Sequence, residues 1–181
     1  MVLFVEPNCQ IIDRIQKIPH FYVTQLCIVN NDTNKLKEIK MKRTAKAHWA
    51  GTIKDGKGDL TTQSEILNKT NYSFKTRFVG GETGTNPEEL LAAAHAGCFT
   101  MAVSAALTEK GLNPASLDTE ATVTMENFSI ISIHLSITGF LSGVSADEFE
   151  AITKGAEQNC LVSKVLNIPI SSEAHFVSQL K

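Results

Sequence analysis

The stretch "NPEELLAAAHAGCFT", residues 86–100, decides the fold because it opens a long apolar segment in this 181-residue chain. Asn86 followed by Pro87 is typical of a helix N-cap and first turn, and Gly111 is typical of a helix end. The pattern predicts a helix from about residue 87 to residue 110. Its part "LLAAAHAGCFTMAVSAAL" is apolar nearly all round. A sheet on one side would hardly cover such a helix, so we expect a second copy of the chain to bury the remaining face.

The segments on either side of this helix have strand patterns. Before it, "TAKAHWAG" and "DLTTQSEIL" flank the glycine-containing turn "KDGKG", which predicts a hairpin. The alternating segment "YSFKTRFVG" predicts a third strand, with Arg77 on the face opposite the aromatic side chains.

After the long helix, "DTEATVTMEN" and "SIISIHLSITGFL" predict two more strands. The segment "SADEFEAITKGAEQN" predicts a second helix with a capping box from Ser145 to Glu148. The short helical segment "LVSKVL" follows Cys160, and "IPISSEAHFV" predicts a last strand. Because strand and helix do not alternate regularly, the order predicts a mainly antiparallel α+β fold rather than a parallel doubly wound sheet.

The composition argues against several classes of partner. A net charge of -2 leaves no basic excess to attract nucleic acid or anionic lipid. No apolar run approaches the roughly 20 residues that cross a bilayer, so we expect no membrane span. The first residues, "MVLFVEPNCQ", lack the basic segment of a secretory signal. We therefore expect a cytoplasmic protein that binds neither nucleic acid nor membrane.

The chain length is that of one ordinary domain. The segment "MKRTAKAHW", which starts at Met41 after the polar run "NNDTNKLKEIK", has the character of a second and more natural beginning. We treat residues 1–40 as an N-terminal appendage of unknown role and residues 41–181 as the functional domain. Within the appendage, "FYVTQLCIV" (residues 21–29) has the pattern of a strand.

The cysteines and histidines indicate neither a disulfide framework nor a metal site, because C-x-x-C and H-E-x-x-H spacings are absent from the sequence. His95 and Cys98 are three residues apart and share a helical face. From the residues alone, Cys98 and Cys160 are either small core residues or nucleophiles. Arg77 is equally compatible with a solvated strand, and Glu88 with a first-turn carboxylate favoured by the helix dipole.

A series of segments distinguishes between these interpretations: "TAKAHWAG", "GKGDLTTQSEILN", "YSFKTRF", "GTNPEELLAAAHAGCFTMAVSAAL", "LDTEATVTM" and "CLVSKVL". In this order, from about Met41 to the C-terminus, they resemble the OsmC/Ohr family of thiol peroxidases, with the OsmC branch fitting best. The resemblance implies a two-layer α+β fold with long central helices in an intertwined homodimer. It also implies that two cysteines reduce organic hydroperoxides to alcohols without a bound cofactor. An external dithiol, in this family typically a dihydrolipoyl group on a lipoylated partner, would reduce the oxidised cysteines.

The resemblance also implies a role for four residues by position. Cys98 would be the peroxidatic cysteine, Cys160 the resolving cysteine, Arg77 the activating arginine and Glu88 its carboxylate partner. The family often has proline after the second cysteine, whereas this chain has Leu161.

The chemistry of these residue types fits those roles. A neighbouring arginine can lower a thiol pKa from about 8.5 into a range of about 3.5–7.5, and it can stabilise the leaving oxygen of a peroxide. A carboxylate can hold the guanidinium by a bidentate pair. A sulfenic acid formed at Cys98 would then condense with Cys160 to give a disulfide. We expect the apolar side chains of Phe99, Met101 and Phe128 to favour alkyl and fatty-acid hydroperoxides.

One spacing is difficult to reconcile with a site in a single chain. Glu88 and Cys98 are ten residues apart, which is about 15 Å along a straight helix. Either the helix breaks near Gly97, or Glu88 of one subunit reaches Cys98 of another across two antiparallel helices packed about 8–10 Å apart. We favour the shared site, because it also explains the apolar surface of the helix.

Two other functions compete with the peroxidase. A cysteine hydrolase with His95 as its base would need an orienting group and an oxyanion hole that the sequence does not identify. A non-catalytic ligand-binding or redox-sensing module on the same fold is the second alternative. The presence of Arg77, Glu88, Cys98 and Cys160 together argues against that module.

Overall fold

The computed structural model describes residues 40–178 of the chain. Two three-stranded sheets, β1-β2-β3 and β4-β5-β6, are combined with four helices in this range. In chain order the elements are β1 (Ala45–Ala50), β2 (Lys57–Thr62), β3 (Thr70–Ser73), α1 (Phe74–Phe78), α2 (Pro87–Glu109), β4 (Ser116–Glu126), β5 (Ser129–Leu141), α3 (Ala146–Asn159), α4 (Leu161–Val165) and β6 (Ile170–Ser178). The predicted α+β class is confirmed. The proposed appendage, including the predicted strand at residues 21–29, lies almost wholly outside the described residues, and the boundary at residue 41 stays a prediction.

The smaller sheet corrects one prediction. Its strands pair antiparallel, but β3 ends at Ser73, and the following residues form helix α1 instead of continuing as a strand. The Ser73 hydroxyl accepts a hydrogen bond from the N–H of Thr76, and the Thr76 hydroxyl accepts one from the N–H of Ser73. This reciprocal capping box favours the helical turn over further strand pairing. Arg77 therefore lies on a helix, and its guanidinium lies over the Phe78 ring, 5.0 Å from the centroid, rather than on a strand face away from the aromatics.

The larger sheet supplies one wall of the core. Strand β5 pairs antiparallel with β4 and parallel with β6, because the connection from β5 to β6 crosses over through α3 and α4. Alternate residues of β5 are buried, as its sequence pattern predicts. The buried side chains of the core belong to α2, β5, α3 and the residue after α3: Phe99, Val103, Leu107, Ile133, Leu135, Ile137, Leu141, Phe149, Ile152, Ala156 and Cys160.

Helix α2 has the ends that the sequence predicts. The Asn86 side chain accepts a hydrogen bond from the N–H of Glu89, Pro87 occupies the first turn, and Gly111 follows the helix with a φ of 74°. The left-handed backbone at Gly111 is the conformation that terminates many helices. The helix continues through Gly97, so the predicted alternative of a break at that residue is wrong.

One side of α2 packs in the core and the other side remains open. Met101, on the open side, is 75% exposed. By length and composition α2 is a candidate membrane span, with a mean hydropathy of 1.7 over an 18-residue window that is 22% buried. The prediction that no segment reaches this length and apolarity was therefore wrong. A single helix of this kind is weak evidence for a membrane, since core helices pass the same test.

Candidate active site

The fold brings two distant cysteines together. Cys98 lies on α2, Cys160 lies 62 positions later between α3 and α4, and their Sγ atoms are 3.1 Å apart. Both thiols are free, and Cys160 is 1% exposed. Cys160 ends α3 and precedes α4, with a φ of -58° and a ψ of 128°. This extended residue between two helices directs the Cys160 side chain into the core against α2.

The backbone at the start of α4 also contacts the Cys98 sulfur. The N–H groups of Leu161 and Val162 lower the pKa of this thiol, which favours the thiolate. Burial opposes this effect most strongly, and the Cys160 thiol adds to the opposition, so the pKa of Cys98 is raised above its ordinary value. Arg77 is not among the groups that act on this pKa within one chain. The predicted activation of Cys98 by Arg77, which the shared site would supply, stays a prediction.

The other two predicted site residues form a second pair. The Nε atom of Arg77 lies 3.0 Å from both carboxylate oxygens of Glu88, and Nη2 also donates to Oε1. The hydrogen bonds from Arg77 lower the pKa of Glu88, and Glu88 raises the pKa of Arg77. Among residues 40–178 nothing is hydrogen-bonded to Nη1 of Arg77. The predicted bidentate geometry is thus present, and one edge of the guanidinium is left for another acceptor.

The two pairs are separated along α2. Glu88 is in the first turn of the helix and Cys98 is ten residues later, so a continuous helix sets them about 15 Å apart along its axis. One chain thus contains a thiol pair, Cys98 and Cys160, and a charged pair, Arg77 and Glu88. Helix α2 keeps the two pairs apart.

His95, the candidate base of a cysteine hydrolase, lies in the thiol region. Its side chain is 0% exposed, and its Nε2 atom lies 2.9 Å from the Ser163 hydroxyl on α4. Burial lowers the pKa of the His95 imidazole, so the neutral ring is favoured. The described contacts place Nε2 on Ser163 rather than on Cys98, which gives a cysteine hydrolase no support.

The three predicted apolar wall residues have different surroundings. Phe99 is 0% exposed and belongs to the core, so its prediction as a substrate-facing wall was wrong. Met101 and Phe128 are 75% and 82% exposed. The Phe128 ring is 5.7 Å from that of Phe78, which is 4.9 Å from that of Phe74. An aromatic row, defined as Phe74, Phe78 and Phe128, therefore lies beside Arg77.

Across residues 40–178, the histidine, cysteine, aspartate and glutamate side chains form no group of three that could hold a metal ion.

Comparison with known proteins identifies the family of the chain. Residues 80–173 match the family described as OsmC-like protein. The chain is 45% identical over 137 residues to peroxiredoxin OsmC of Escherichia coli (strain K12), covering 74% of this chain and 95% of that protein. The chain belongs to the OsmC-like family. The resemblance noted from the sequence segments is confirmed.

Other similar proteins extend this comparison. This OsmC-like chain is 28% identical over 139 residues to the uncharacterized protein YmaD of Bacillus subtilis (strain 168), covering 71% of this chain and 90% of that protein. An organic hydroperoxide resistance protein OsmC from Legionella pneumophila matches with a TM-score of 0.56 at 20% identity, over 77% of this chain and 98% of that one. The organic hydroperoxide resistance protein OhrB of Bacillus subtilis matches with a TM-score of 0.52 at 20% identity, over 74% of this chain and 98% of that one. These two structures share its fold.

Proposed function

We propose that this protein is a two-cysteine thiol peroxidase that reduces organic hydroperoxides to alcohols. The observation that carries the proposal is the 3.1 Å separation of the Cys98 and Cys160 sulfur atoms. A disulfide needs an S–S distance of about 2.05 Å, so the two sulfurs must approach by only about 1 Å. The peroxiredoxin OsmC of E. coli, 45% identical to this chain, supports the same class of activity.

The reaction has two oxidative steps in this proposal. The Cys98 thiolate attacks the O–O bond of the hydroperoxide, a sulfur–oxygen bond forms, and the alcohol leaves after its oxygen takes a proton. Cys98 is then a sulfenic acid. The Cys160 sulfur attacks the Cys98 sulfur, water leaves, and the Cys98–Cys160 disulfide forms. An external dithiol reduces the disulfide by exchange and is itself oxidised.

Activation of Cys98 requires a cation that a single chain does not place beside it. We infer that a second subunit supplies Arg77, held by Glu88, in a homodimer formed through α2. The exposed positions in the middle of that helix, Ala93, Ala94, Gly97 and Met101, carry small or apolar side chains. Such a face permits close approach of a second helix.

A two-fold axis would place the charged and thiol pairs at the same level. Residue 93 is midway between 88 and 98, since (88 + 98)/2 = 93. If the axis passes near Ala93, Glu88 of one antiparallel helix is level with Cys98 of the other. Packed helices are about 8–10 Å apart, which is within reach of an arginine side chain.

The reductant in this proposal is a dithiol, in the form of a dihydrolipoyl group on a lipoylated partner. A dithiol reduces a disulfide without leaving a mixed disulfide behind, because its second thiol completes the exchange. The two free thiols agree with a reducing compartment, and we place the protein in the cytoplasm on that basis.

A peroxide-consumption assay tests the proposal. We expect catalytic consumption of cumene hydroperoxide with dihydrolipoamide as electron donor, faster than consumption of hydrogen peroxide, and none with the Cys98→Ser variant. If the wild-type protein forms one disulfide per chain but never turns over with any dithiol, the redox-sensing alternative replaces the peroxidase.

A further inference from the structure

One hydrogen bond ties the thiol-bearing helix to the segment that carries the resolving cysteine. His95 lies one turn before Cys98 on α2, and its Nε2 atom is 2.9 Å from the hydroxyl of Ser163 on α4. The imidazole is fully buried, and within residues 40–178 its Nδ1 atom has no hydrogen-bond partner. A buried ring nitrogen without a partner is unfavourable, so its presence calls for a physical explanation.

Helix α4 has few attachments of its own. It is five residues long, it has no side-chain cap at its start, and Leu161 and Val165 are 63% and 79% exposed. Its packing against the core relies on the partly buried Val162. Besides the bond from Ser163 to His95, its side chains make one described polar contact, from Lys164 to Asn159 at 3.4 Å on the surface. Helices this short have little stability by themselves.

The same short helix determines the surroundings of both sulfur atoms. It begins directly after Cys160, and its first two N–H groups lower the pKa of Cys98. A shift of α4 by even about 1 Å would change the approach of Cys160 to Cys98, and misplacements of that size have large effects on rate. The position of α4 therefore controls how readily the two sulfurs meet.

An apolar side chain at position 95 would pack in the core without leaving a buried ring nitrogen unpaired, as histidine does. We propose that His95 is a positioning residue: by binding Ser163, its neutral imidazole holds α4 against α2 and keeps Cys160 aligned with the Cys98 sulfur. This inference rests on the proposed two-cysteine function. It assigns the His95–Ser163 bond to the second oxidative step, in which the Cys160 sulfur displaces water from the Cys98 sulfenic acid.

The test follows disulfide formation separately from sulfenic acid formation. Wild-type protein and the variants Ser163→Ala, His95→Leu and His95→Gln are mixed with one equivalent of cumene hydroperoxide. Samples quenched with dimedone or an alkylating agent are then analysed by mass spectrometry for sulfenic acid, disulfide and overoxidised Cys98. The matched control is Lys164→Ala, which removes the other described polar contact of α4 and leaves His95 unchanged.

We expect Ser163→Ala and His95→Leu to slow disulfide formation by about tenfold or more, because the reacting atoms are no longer aligned. Sulfenic acid formation should slow by much less than disulfide formation, because a displaced α4 changes only the thiolate fraction of Cys98, and the overoxidised fraction of Cys98 should rise. His95→Gln, whose amide can reach Ser163, should restore most of the rate, and Lys164→Ala should behave as wild type. Unchanged disulfide formation in Ser163→Ala would overturn the proposal, as would equal slowing in Lys164→Ala.

Oxidation by diamide distinguishes a failure of this inference from a failure of the peroxidase proposal. Diamide accepts two electrons from the thiol pair and forms the Cys98–Cys160 disulfide without a hydroperoxide. If the protein consumes no hydroperoxide but Ser163→Ala still slows disulfide formation by diamide, the positioning role stands alone. If diamide oxidises both proteins equally fast, the positioning role is wrong even when the peroxidase is active.

Discussion

The thiol pair and the charged pair of this protein occupy contrasting environments. Cys98 and Cys160 lie in or beside the core, where burial raises the pKa of Cys98. The Arg77 side chain is 38% exposed, and its guanidinium is fixed by two atoms on Glu88. The thiol pair is suited to sulfur–sulfur chemistry and lacks a cation, whereas the charged pair has a cation and lacks a nucleophile.

Helix α2 explains why one chain keeps the two pairs apart. It contributes Glu88 to the charged pair and Cys98 to the thiol pair, and as a continuous helix it is a rigid spacer between them. Each pair is already assembled in the single chain, so the proposed dimer would add only their juxtaposition. Variants that remove one pair at a time, or the link between the pairs, therefore separate the two contributions.

The thiol pair should respond most strongly, and its two members should respond differently. Cys98→Ser should lower hydroperoxide consumption by about 10³-fold or more, since a serine hydroxyl at its ordinary pKa cannot replace a thiolate. Cys160→Ser should react once and leave a sulfenic acid at Cys98 that dimedone traps. Equal trapping at Cys160 in the Cys98→Ser protein, or full dihydrolipoamide-driven turnover without Cys160, would reverse the assignment.

The charged pair should be the next most sensitive. Arg77→Lys keeps the charge but loses the planar fork, so we expect alkyl hydroperoxide reduction to fall by about 10²-fold. Arg77→Gln should also shift the pH dependence of Cys98 alkylation by iodoacetamide to higher pH, because the raised pKa of the single chain would no longer be offset. A Cys98 alkylation profile that does not depend on residue 77 would show that the two pairs are unconnected.

Several of these features were accessible from the sequence. Asn86, Pro87 and Gly111 predict the start and end of α2. The alternating apolar side chains of β5 predict a strand with one buried face. The family resemblance supplied the Arg77–Glu88 pair, whose contact the structure contains. These features depend on side-chain type and spacing, which a sequence displays directly.

The features that were missed depend on backbone direction and on competition between alternatives. "YSFKTRF" satisfies a strand pattern, but the capping box of Ser73 and Thr76 selects a helix after β3. The contacts of Leu161 and Val162 with the Cys98 sulfur come from N–H groups, which every such residue possesses. Their orientation arises only when α4 packs against α2.

The charged pair should also affect stability in a pH-dependent way. Arg77 lowers the pKa of Glu88, so the unfolded state takes up this proton first as the pH falls. The stabilisation from the pair is therefore present above the ordinary carboxyl pKa of 4.5 and is lost as the pH falls through the lower folded value. Because the pair is partly exposed, we expect it to contribute less than about 1 kcal/mol.

Urea unfolding measures this effect. The difference in the free energy of unfolding between wild type and Glu88→Gln should be largest near neutral pH and should narrow below about pH 4.5. Glu89→Gln, which removes a carboxylate from the same first turn of α2, is the control. A gap between wild type and Glu88→Gln that widens toward low pH would contradict the assigned pairing.

The last expected effect, of similar size, concerns the aromatic row beside Arg77. Asn127 and Phe128 form the turn between β4 and β5 with φ angles of 48° and 61°, a left-handed conformation that is unfavourable for a bulky residue. Phe128→Gly should therefore raise the free energy of unfolding by up to about 1 kcal/mol, since the ring is largely exposed and its contact with Phe78 is a small loss. It should also reduce the preference for bulky over small alkyl hydroperoxides.

Asn127→Gly is the matched control for this change, because it relaxes the neighbouring position of the same turn and keeps the ring. We expect a smaller stabilisation from it, since asparagine tolerates the left-handed region, and an unchanged substrate preference. A less stable Phe128→Gly protein would show that the Phe78–Phe128 contact outweighs the backbone strain.

The measurement that tests the shared site most directly is complementation between two inactive chains. Chains with Cys98→Ser and chains with Arg77→Gln are unfolded, mixed in equal amounts and refolded together, and each is also refolded alone. A mixed dimer with shared sites has one intact site, in which Cys98 comes from one chain and Arg77 from the other. Random pairing then predicts recovery of about one quarter of the wild-type activity, while each variant alone stays inactive. Activity in the mixture that does not exceed that of the separate variants would contradict the account, because it would mean that no site combines the thiol pair of one chain with the charged pair of another.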